Sequence, residues 1–346
     1  MLNMKHGRNC MSIPPETLQG TNSYWQLGQG HVEDLSVPRP ADGALHMGPL
    51  RQLTGGGGHS AVLSGECGEL LVCGHNHRGQ LGLGHSLEVT TFQLCPLIGQ
   101  RVAHVSCGWD FTLVLTDHGQ VLTCGSNAYG QLGVSEPIPH SMVLLPIHSV
   151  KEPVIRVAAG LRHSLTVTGT GSVYQWGMGL SGHAKRALSP QPVPAHFTSK
   201  TPCLVPGLEQ VMSHRVAAGS AHCVSLTGEE VKYRGCLRCV LLLSCFSLPP
   251  SLPPSLPSCL VLGMVRPLPS SPHLSPPGGR LLSWGWNEHG MCGDGSETDV
   301  SQPQPIPALR PLVIGCGAGH SMALCAVRTG EEKSTEDMEI EQATLV

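Results

Sequence analysis

The chain has 346 residues, a formal net charge of −3 and a mildly apolar composition long enough for one large core. That charge supplies no basic stripe for a phosphate backbone, which excludes nucleic acid as a partner on electrostatic grounds. The 43 glycines and 29 prolines argue against a helical architecture, because both residue types interrupt helix interiors.

Residues 1–19 lack an apolar strand, carry no apolar leader and read as an atypical lead segment. A phrase then begins at Gly20 (GTNSYWQLG) and returns as Gly74-His75-Asn76-His77-Arg78-Gly79-Gln80-Leu81-Gly82. It returns again as Gly125-Ser126-Asn127-Ala128-Tyr129-Gly130-Gln131-Leu132-Gly133, and in weaker form at Gly285 (GWNEHGMCG). A second phrase, Gly-x-x-His-Ser followed by alternating apolar residues, starts at Gly56, Gly160, Gly219 and Gly317. Its copy at Gly108 carries Phe111 in place of histidine. From His59 to Phe111 is 52 residues, and from Phe111 to His163 is 52 again. Such a period marks stacked or radial units, none of which buries its apolar face alone.

Each unit reads as short strands. Thr112-Leu113-Val114-Leu115-Thr116, a turn at Asp117-His118-Gly119 and Gln120-Val121-Leu122-Thr123-Cys124-Gly125 set the rhythm. Four-stranded units arranged radially make an all-β propeller, so the repeats at 20–232 are expected to form one domain. His163 to His222 is 59 residues, one repeat with a longer loop, while His222 to His320 is 98, close to two periods. Between them, residues 233–279 hold ten prolines and no acidic residue. Prolines at that density cannot feed a sheet ladder, so this segment is expected to be disordered. It reads as the replacement of about two repeats, as an alternative or aberrant splice or a mispredicted exon would produce. A final repeat occupies 280–327, and 328–346 is an acidic tail expected to be disordered. The apolar run Cys236–Leu248 is too short to span a bilayer.

Fifteen cysteines raise disulfides and zinc. Cys73 and Cys124 fall where Trp176 and Trp284 fall in other repeats, and read as buried small hydrophobes. Cys236 and Cys239 form a lone pair without a second pair at zinc spacing, so no metal is expected. Reduced thiols point to a cytoplasmic or nuclear compartment. His59, His163, His222 and His320 hold equivalent places in separate repeats, so they are spread around a ring and are expected to make a hydrogen bond inside each blade. No catalytic grouping emerges. Gly55–Gly58 lacks the Gly-Lys-Ser/Thr of a phosphate loop, and Asp294–Asp299 lacks calcium-loop spacing, so no cofactor is expected.

Together, Asn-x-x-Gly-Gln-Leu-Gly, the preceding Trp-Gly at Trp176 and Trp284, and Ala-Gly-x-x-His resemble the repeats of the regulator of chromosome condensation family. The resemblance covers residues 20–232 and 280–327. Within the family, the stretches 55–60, 107–112, 158–163 and 283–295 look most like members that act in secretion. What the resemblance implies is a seven-bladed propeller, of which about five blades are recognisable here, in a ring expected to be incomplete. It also implies a small GTPase partner of the Ran or Ras type and guanine nucleotide exchange without covalent chemistry. A monomer in contact with the secretory machinery is the further expectation. The family's GTPase contacts include the variable pair inside Gly-x-x-His: Gly57 and Gly58, Trp109 and Asp110, Leu161 and Arg162, Ser220 and Ala221, Ala318 and Gly319. Of these, Trp109, Asp110 and Arg162 have side chains able to anchor a partner. Two other readings stand beside exchange: a propeller scaffold without activity, and a splice product without function.

Overall fold

The computed structural model describes residues 17–20, 22–40, 50–64, 68–97, 99–179, 193–209, 211–227, 280–285, 287, 292–306, 311–316, 321–325 and 343–345. Strands β1 (Thr17–Gly20) and β2 (Leu35–Pro40) pair as a two-stranded sheet. Four sheets of four strands follow. The first holds β3 (Leu50–Gly55), β4 (His59–Ser64), β5 (Leu70–Gly74) and β6 (Val89–Leu94). The second holds β7 (Val102–Cys107), β8 (Phe111–Thr116), β9 (Val121–Ser126) and β10 (His140–Pro146). The third holds β11 (Val154–Ala159), β12 (His163–Thr168), β13 (Val173–Gly177) and β14 (Cys203–Leu204). The fourth holds β15 (Ser213–Ala218), β16 (His222–Thr227), β17 (Arg280–Gly285) and β18 (Val300–Ile306). Last comes a three-stranded sheet of β19 (Pro311–Cys316), β20 (Ser321–Cys325) and β21 (Ala343–Leu345). One 3-10 turn, Ala195–Phe197, is the single helical element among the described residues. No helix there is long and apolar enough to cross a membrane.

Every four-stranded sheet is an antiparallel meander. Its first strand touches the first strand of the next sheet: β3 packs on β7, β7 on β11, β11 on β15 and β15 on β19. The modules therefore follow one another in sequence order around a common axis, as a propeller requires. Apolar residues fill the spaces between sheets, for instance Leu63 and Val72 of one with Val105 and Val114 of the next, all at most 1% exposed. Polar links add register. Gln52 Nε2 donates to Val105 O at 2.6 Å, Val105 N–H returns a bond to Gln52 Oε1 at 3.1 Å, and Ser106 Oγ accepts the Ala159 N–H at 2.9 Å.

One register recurs between second and third strands: His59 faces Gly74, Phe111 faces Gly125, His163 faces Gly177 and His222 faces Gly285. Each glycine takes a positive φ, and a Cβ there would meet the carbonyl oxygen before the facing residue at 2.5 Å. That contact is why the third strand carries glycine at or next to its end in all four four-stranded sheets. The fourth sheet keeps this register although residues 228–279 separate its halves. The segment thus stands where other sheets have a short hairpin turn, and among the described residues the span from His222 to His320 runs through the rest of the fourth sheet and the first strand of the next. What was expected of the segment's own disorder lies outside the described residues. At the tail's end, Ala343–Leu345 forms β21, paired with β20 from Met322↔Leu345 to Leu324↔Ala343, while the rest of the tail lies outside the described residues.

The repeated histidines also differ from expectation. Each was expected to bond within its own blade, but His59 Nε2 meets Thr112 Oγ1 of the next sheet at 2.9 Å, and His163 Nε2 meets Cys223 Sγ of the next at 3.3 Å. Thr112 already donates its one hydroxyl proton to Gln80 O at 2.7 Å, so His59 donates to it and is protonated on Nε2. The histidine joins blades because its side chain leaves the second strand on the face that covers the neighbouring sheet. His320 lies outside the described residues.

Replacing residues 228–279 by the three-residue turn Asp-His-Gly should leave the far-ultraviolet β signature unchanged. Shortening the closed loop should raise stability by about 2 kcal/mol, read as a shift in the denaturant midpoint.

Burial holds His59, His104 and His163 each down to about 3. Below the free-histidine value the unfolded chain binds the extra protons. Stability is therefore complete above about pH 6.5 and is lost as pH falls from there toward 3. Denaturant titrations from pH 7 to 4.5 should show this loss, with up to about 1.4 kcal/mol per pH unit from each histidine. His59→Phe, the substitution that the second repeat already carries at Phe111, should remove one histidine's share of that slope.

Candidate functional site: a rim of paired loops

In a four-stranded meander, the loop joining strands one and two and the loop joining strands three and four emerge at the same end. The Gly-x-x-His loops and the Asn-x-x-Gly-Gln-Leu-Gly loops therefore share one face. Backbone bonds join them within each sheet: His75 N–H to Gly58 O at 2.8 Å, Ser126 N–H to Asp110 O at 2.9 Å and Met178 N–H to Arg162 O at 2.8 Å. Between sheets, Gly57 N–H donates to Trp109 O at 3.1 Å and Leu161 N–H to Ser220 O at 3.3 Å. The result is a continuous rim.

Asparagine builds four of the longer loops; the one between β13 and β14 has none. Asn76 is fully buried; its Nδ2 donates to His85 O (2.8 Å) and Leu87 O (3.0 Å), while Oδ1 accepts the Leu81 N–H at 3.1 Å. Asn22, Asn127 and Asn287 repeat these bonds with Leu27, Leu132 and Cys292 as the donors to Oδ1. The glutamine of the phrase then points its backbone carbonyl at the following sheet. Gln26 O accepts from Ser60 Oγ (2.6 Å) and Cys73 Sγ (3.6 Å), and Gln80 O from Thr112 Oγ1 (2.7 Å) and Cys124 Sγ (3.4 Å). Gln131 O accepts from Ser164 Oγ (2.7 Å) and Trp176 Nε1 (2.9 Å). Cysteine and tryptophan share a slot because both are buried donors to that carbonyl. Trp284 departs, bonding Gln175 Oε1 at 2.8 Å. Burial raises the Cys73 and Cys124 thiols, so they stay protonated.

On this frame the three residues that the resemblance named as partner contacts, Trp109, Asp110 and Arg162, fall in line. Trp109 is 39% exposed and lies against Gly57, where a Cβ would meet its indole at 2.7 Å. Asp110, next along, is half-buried. Its carboxylate accepts from Gln131 Nε2 at 3.4 Å and also bonds Ser126. Desolvation raises its pKa, against the hydrogen bonds and the charges of His77 and Arg78. Arg162 is exposed, with its guanidinium 4.5 Å from the centre of the Tyr129 ring, a cation–π contact between neighbouring sheets. Ala318 and Gly319 lie outside the described residues.

The variable pairs of Gly-x-x-His supplied only part of this face. Tyr24 stacks on His75 with centroids 4.6 Å apart and planes 14° apart, and His75 stacks on His77 at 4.1 Å and 22°. His75 Nε2 stands 3.8 Å from Glu88 Oε1. Burial lowers both histidines below the ordinary value, opposed by Glu88 and Asp110. Gly58 makes room for this column, since a Cβ there would lie 3.0 Å from Tyr24 and 3.3 Å from His75. These rings belong to the other phrase, at and just before its own variable pair, and the parity of the meander is the signal that places them here. Among the described residues no cluster of three or more His, Cys, Asp or Glu is arranged to hold a metal. Gly57→Ala should push Trp109 and its carbonyl away from the rim. It should move the Trp109 indole resonance and cost about 1–3 kcal/mol, measured by NMR and thermal melting.

Comparison with known proteins agrees with this geometry. The regulator of chromosome condensation (RCC1) repeat matches residues 68–115, 118–167 and 278–324, with a further match at 102–131. The secretion-regulating guanine nucleotide exchange factor of Bos taurus is 40% identical over 381 residues, covering 88% of this chain and 82% of that protein. Its counterpart of the same name from Mus musculus is 39% identical over 383 residues with the same shares. Since 381 aligned positions engage only 88% of the present chain, more than one repeat of the bovine protein faces a gap here. Among solved structures, human WBSCR16 superposes with a TM-score of 0.64 at 22% identity, covering 89% of this chain and 67% of that one. Yeast RCC1 (Prp20), solved bound to Kap60, gives 0.59 at 18%, covering 89% and 62%. Sheets in propeller order, the asparagine-built loops and these identities lead to one assignment: the chain belongs to the regulator of chromosome condensation repeat family, as a propeller short of the family's full ring.

Proposed function

We propose that this chain docks a small GTPase of the Ran or Ras type on its loop rim and acts as a guanine nucleotide exchange factor in the control of secretion. The observation that carries the reading is the 40% identity, across 88% of the chain, to a protein named for that activity. The rim supports it. Trp109 is an exposed aromatic anchor, and Arg162 is a rigidly seated cation on the same face. An exchange factor forms no covalent bond. It binds the nucleotide-free GTPase more tightly than the loaded one, and by linkage lowers nucleotide affinity by the same factor. A rim of bonded loops suits this, because a rigid surface spends little of its binding energy on ordering itself. Work in the cytoplasm or nucleus fits cysteines that remain as thiols among the described residues, six of them buried.

A second reading, a propeller scaffold without exchange activity, draws on one feature. The Asp110 carboxylate is turned onto Gln131 and Ser126 and is engaged within the rim. Release of mant-GDP from loaded small GTPases distinguishes the two. Acceleration with at least one GTPase is expected, reduced about tenfold or more by Trp109→Ala and much less by Asp110→Asn. A GTPase that the chain captures without any faster release would leave the scaffold.

A further inference from the structure

The ring column at the head of the rim is more than packing. Tyr24 is 42% exposed and His77 is exposed, so both ends of the stack Tyr24–His75–His77 face solvent. Trp109 lies against Gly57, while Tyr24 and His75 lie against Gly58. The indole and the column therefore flank two consecutive residues that have no side chains. Two carboxylates border this surface. Glu88 stands 3.8 Å from His75, and Asp110 follows Trp109 and acts electrostatically on both His75 and His77. Electron-rich ring faces beside carboxylates are the surroundings that a delocalised cation prefers. The neighbouring sheet already shows the contact in miniature, with the Arg162 guanidinium over Tyr129.

We propose that Tyr24, His75, His77 and Trp109, with Glu88 and Asp110 at their border, form a receptor for an arginine side chain presented by the docking partner. The assignment rests on the reading of this rim as the docking face. The guanidinium lies flat on an outer ring face while its N–H groups reach a carboxylate, which lysine cannot do in the same plane.

The receptor is also sensitive to acid. Burial keeps His75 and His77 neutral at neutral pH, against the opposing pull of Glu88 and Asp110. The other ionisable groups facing them are Arg78 beside His77, and His59, which burial keeps neutral down to about 3. When the two stacked rings gain protons they repel each other and any incoming cation. Arginine binding is therefore present at neutral pH and lost as pH falls below the ordinary histidine range.

The test uses the full chain with indole nitrogens labelled, the Trp109 resonance being identified by its loss in Trp109→Phe. Acetyl-Gly-Arg-Gly-amide and its citrulline counterpart are titrated at neutral and at mildly acid pH. A saturable shift is expected with the arginine peptide at neutral pH, about tenfold weaker with citrulline, and weakened again in acid. The double variant His75→Phe with His77→Phe keeps two stacked rings and should retain binding in acid. Equal binding of the citrulline peptide, or no saturable shift with arginine, overturns the receptor. Acid loss that persists in the double variant overturns the role of the histidines. Nucleotide release measured on the same samples separates the two proposals. Faster release without arginine discrimination removes the receptor alone, and arginine discrimination without any GTPase docking removes the reading on which it rests.

Discussion

A side chain with no charge and no chemistry holds much of this molecule in shape: the asparagine at the head of four long loops, fully buried at Asn22, Asn76 and Asn287. Asn76 satisfies two backbone carbonyls and one backbone N–H that would otherwise be buried without partners. An unmade bond to such a group costs about 1–3 kcal/mol, so no residue lacking both a donor and an acceptor of that reach can take its place. Aspartate offers only acceptors, and serine is too short. Once the loop is closed in this way, its glutamine carbonyl has one direction available. That direction is toward the hydroxyl, thiol or indole of the next sheet. Local hydrogen bonding inside a loop thereby fixes the relation between sheets, and the rim inherits its rigidity from it.

The second repeat shows which parts of this scheme are interchangeable. Phe111 occupies the histidine position, is fully buried, and fills the space above Gly108, where a Cβ would meet its ring at 2.1 Å. It cannot donate across the gap, so Ser164 of the following sheet keeps only its bond to Gln131 O. The sheets still pack, because the carbonyl bond and the apolar contacts are independent of the histidine. Cys73, Cys124 and Trp176 make the complementary point. Two side-chain types of very different volume, cysteine and tryptophan, serve the equivalent glutamine carbonyl. The constraint at this slot is a buried donor, and the surrounding leucines and valines absorb the difference in size.

Most of the fold was legible in the sequence, since a repeated phrase at fixed spacing states both the strand order and the equivalence of residues. Equivalence does not say which neighbour a side chain faces. His59 and His163 were therefore recognised as structural, while their partners in the next sheet were not. The exposed face was half legible for a related reason. Trp109 and Arg162 follow from variable positions between fixed ones, whereas Tyr24, His75 and His77 required noticing that alternate loops of a meander share an end. Gly57 and Gly58 carried no visible promise as contact residues. Their value is the volume they leave for the rings of Trp109 and Tyr24. The pairing of β21 with β20 had no usable sequence signal, because three residues at the end of an acidic tail are too few to establish a strand period.

The fourth sheet explains how a chain can lose repeats and keep its architecture. β16 and β17 meet across residues 228–279 in the register that His59 and Gly74 use, with the same glycine and the same close carbonyl. Second and third strands carry equivalent contacts in all four four-stranded sheets, so the first half of one repeat can accept the second half of another. Each sheet draws its stability from itself and its two neighbours, which makes the array close to one-dimensional. Removing units from the middle shortens it without disturbing the interfaces that remain. What changes is the ring as a whole, since the step from sheet to sheet is set by local packing and does not adjust to the number of sheets. The rim from Tyr24 to Arg162 lies within the uninterrupted repeats, where every inter-sheet bond described above is intact. A partner that needs only this arc meets the same surface whether or not the circle is complete.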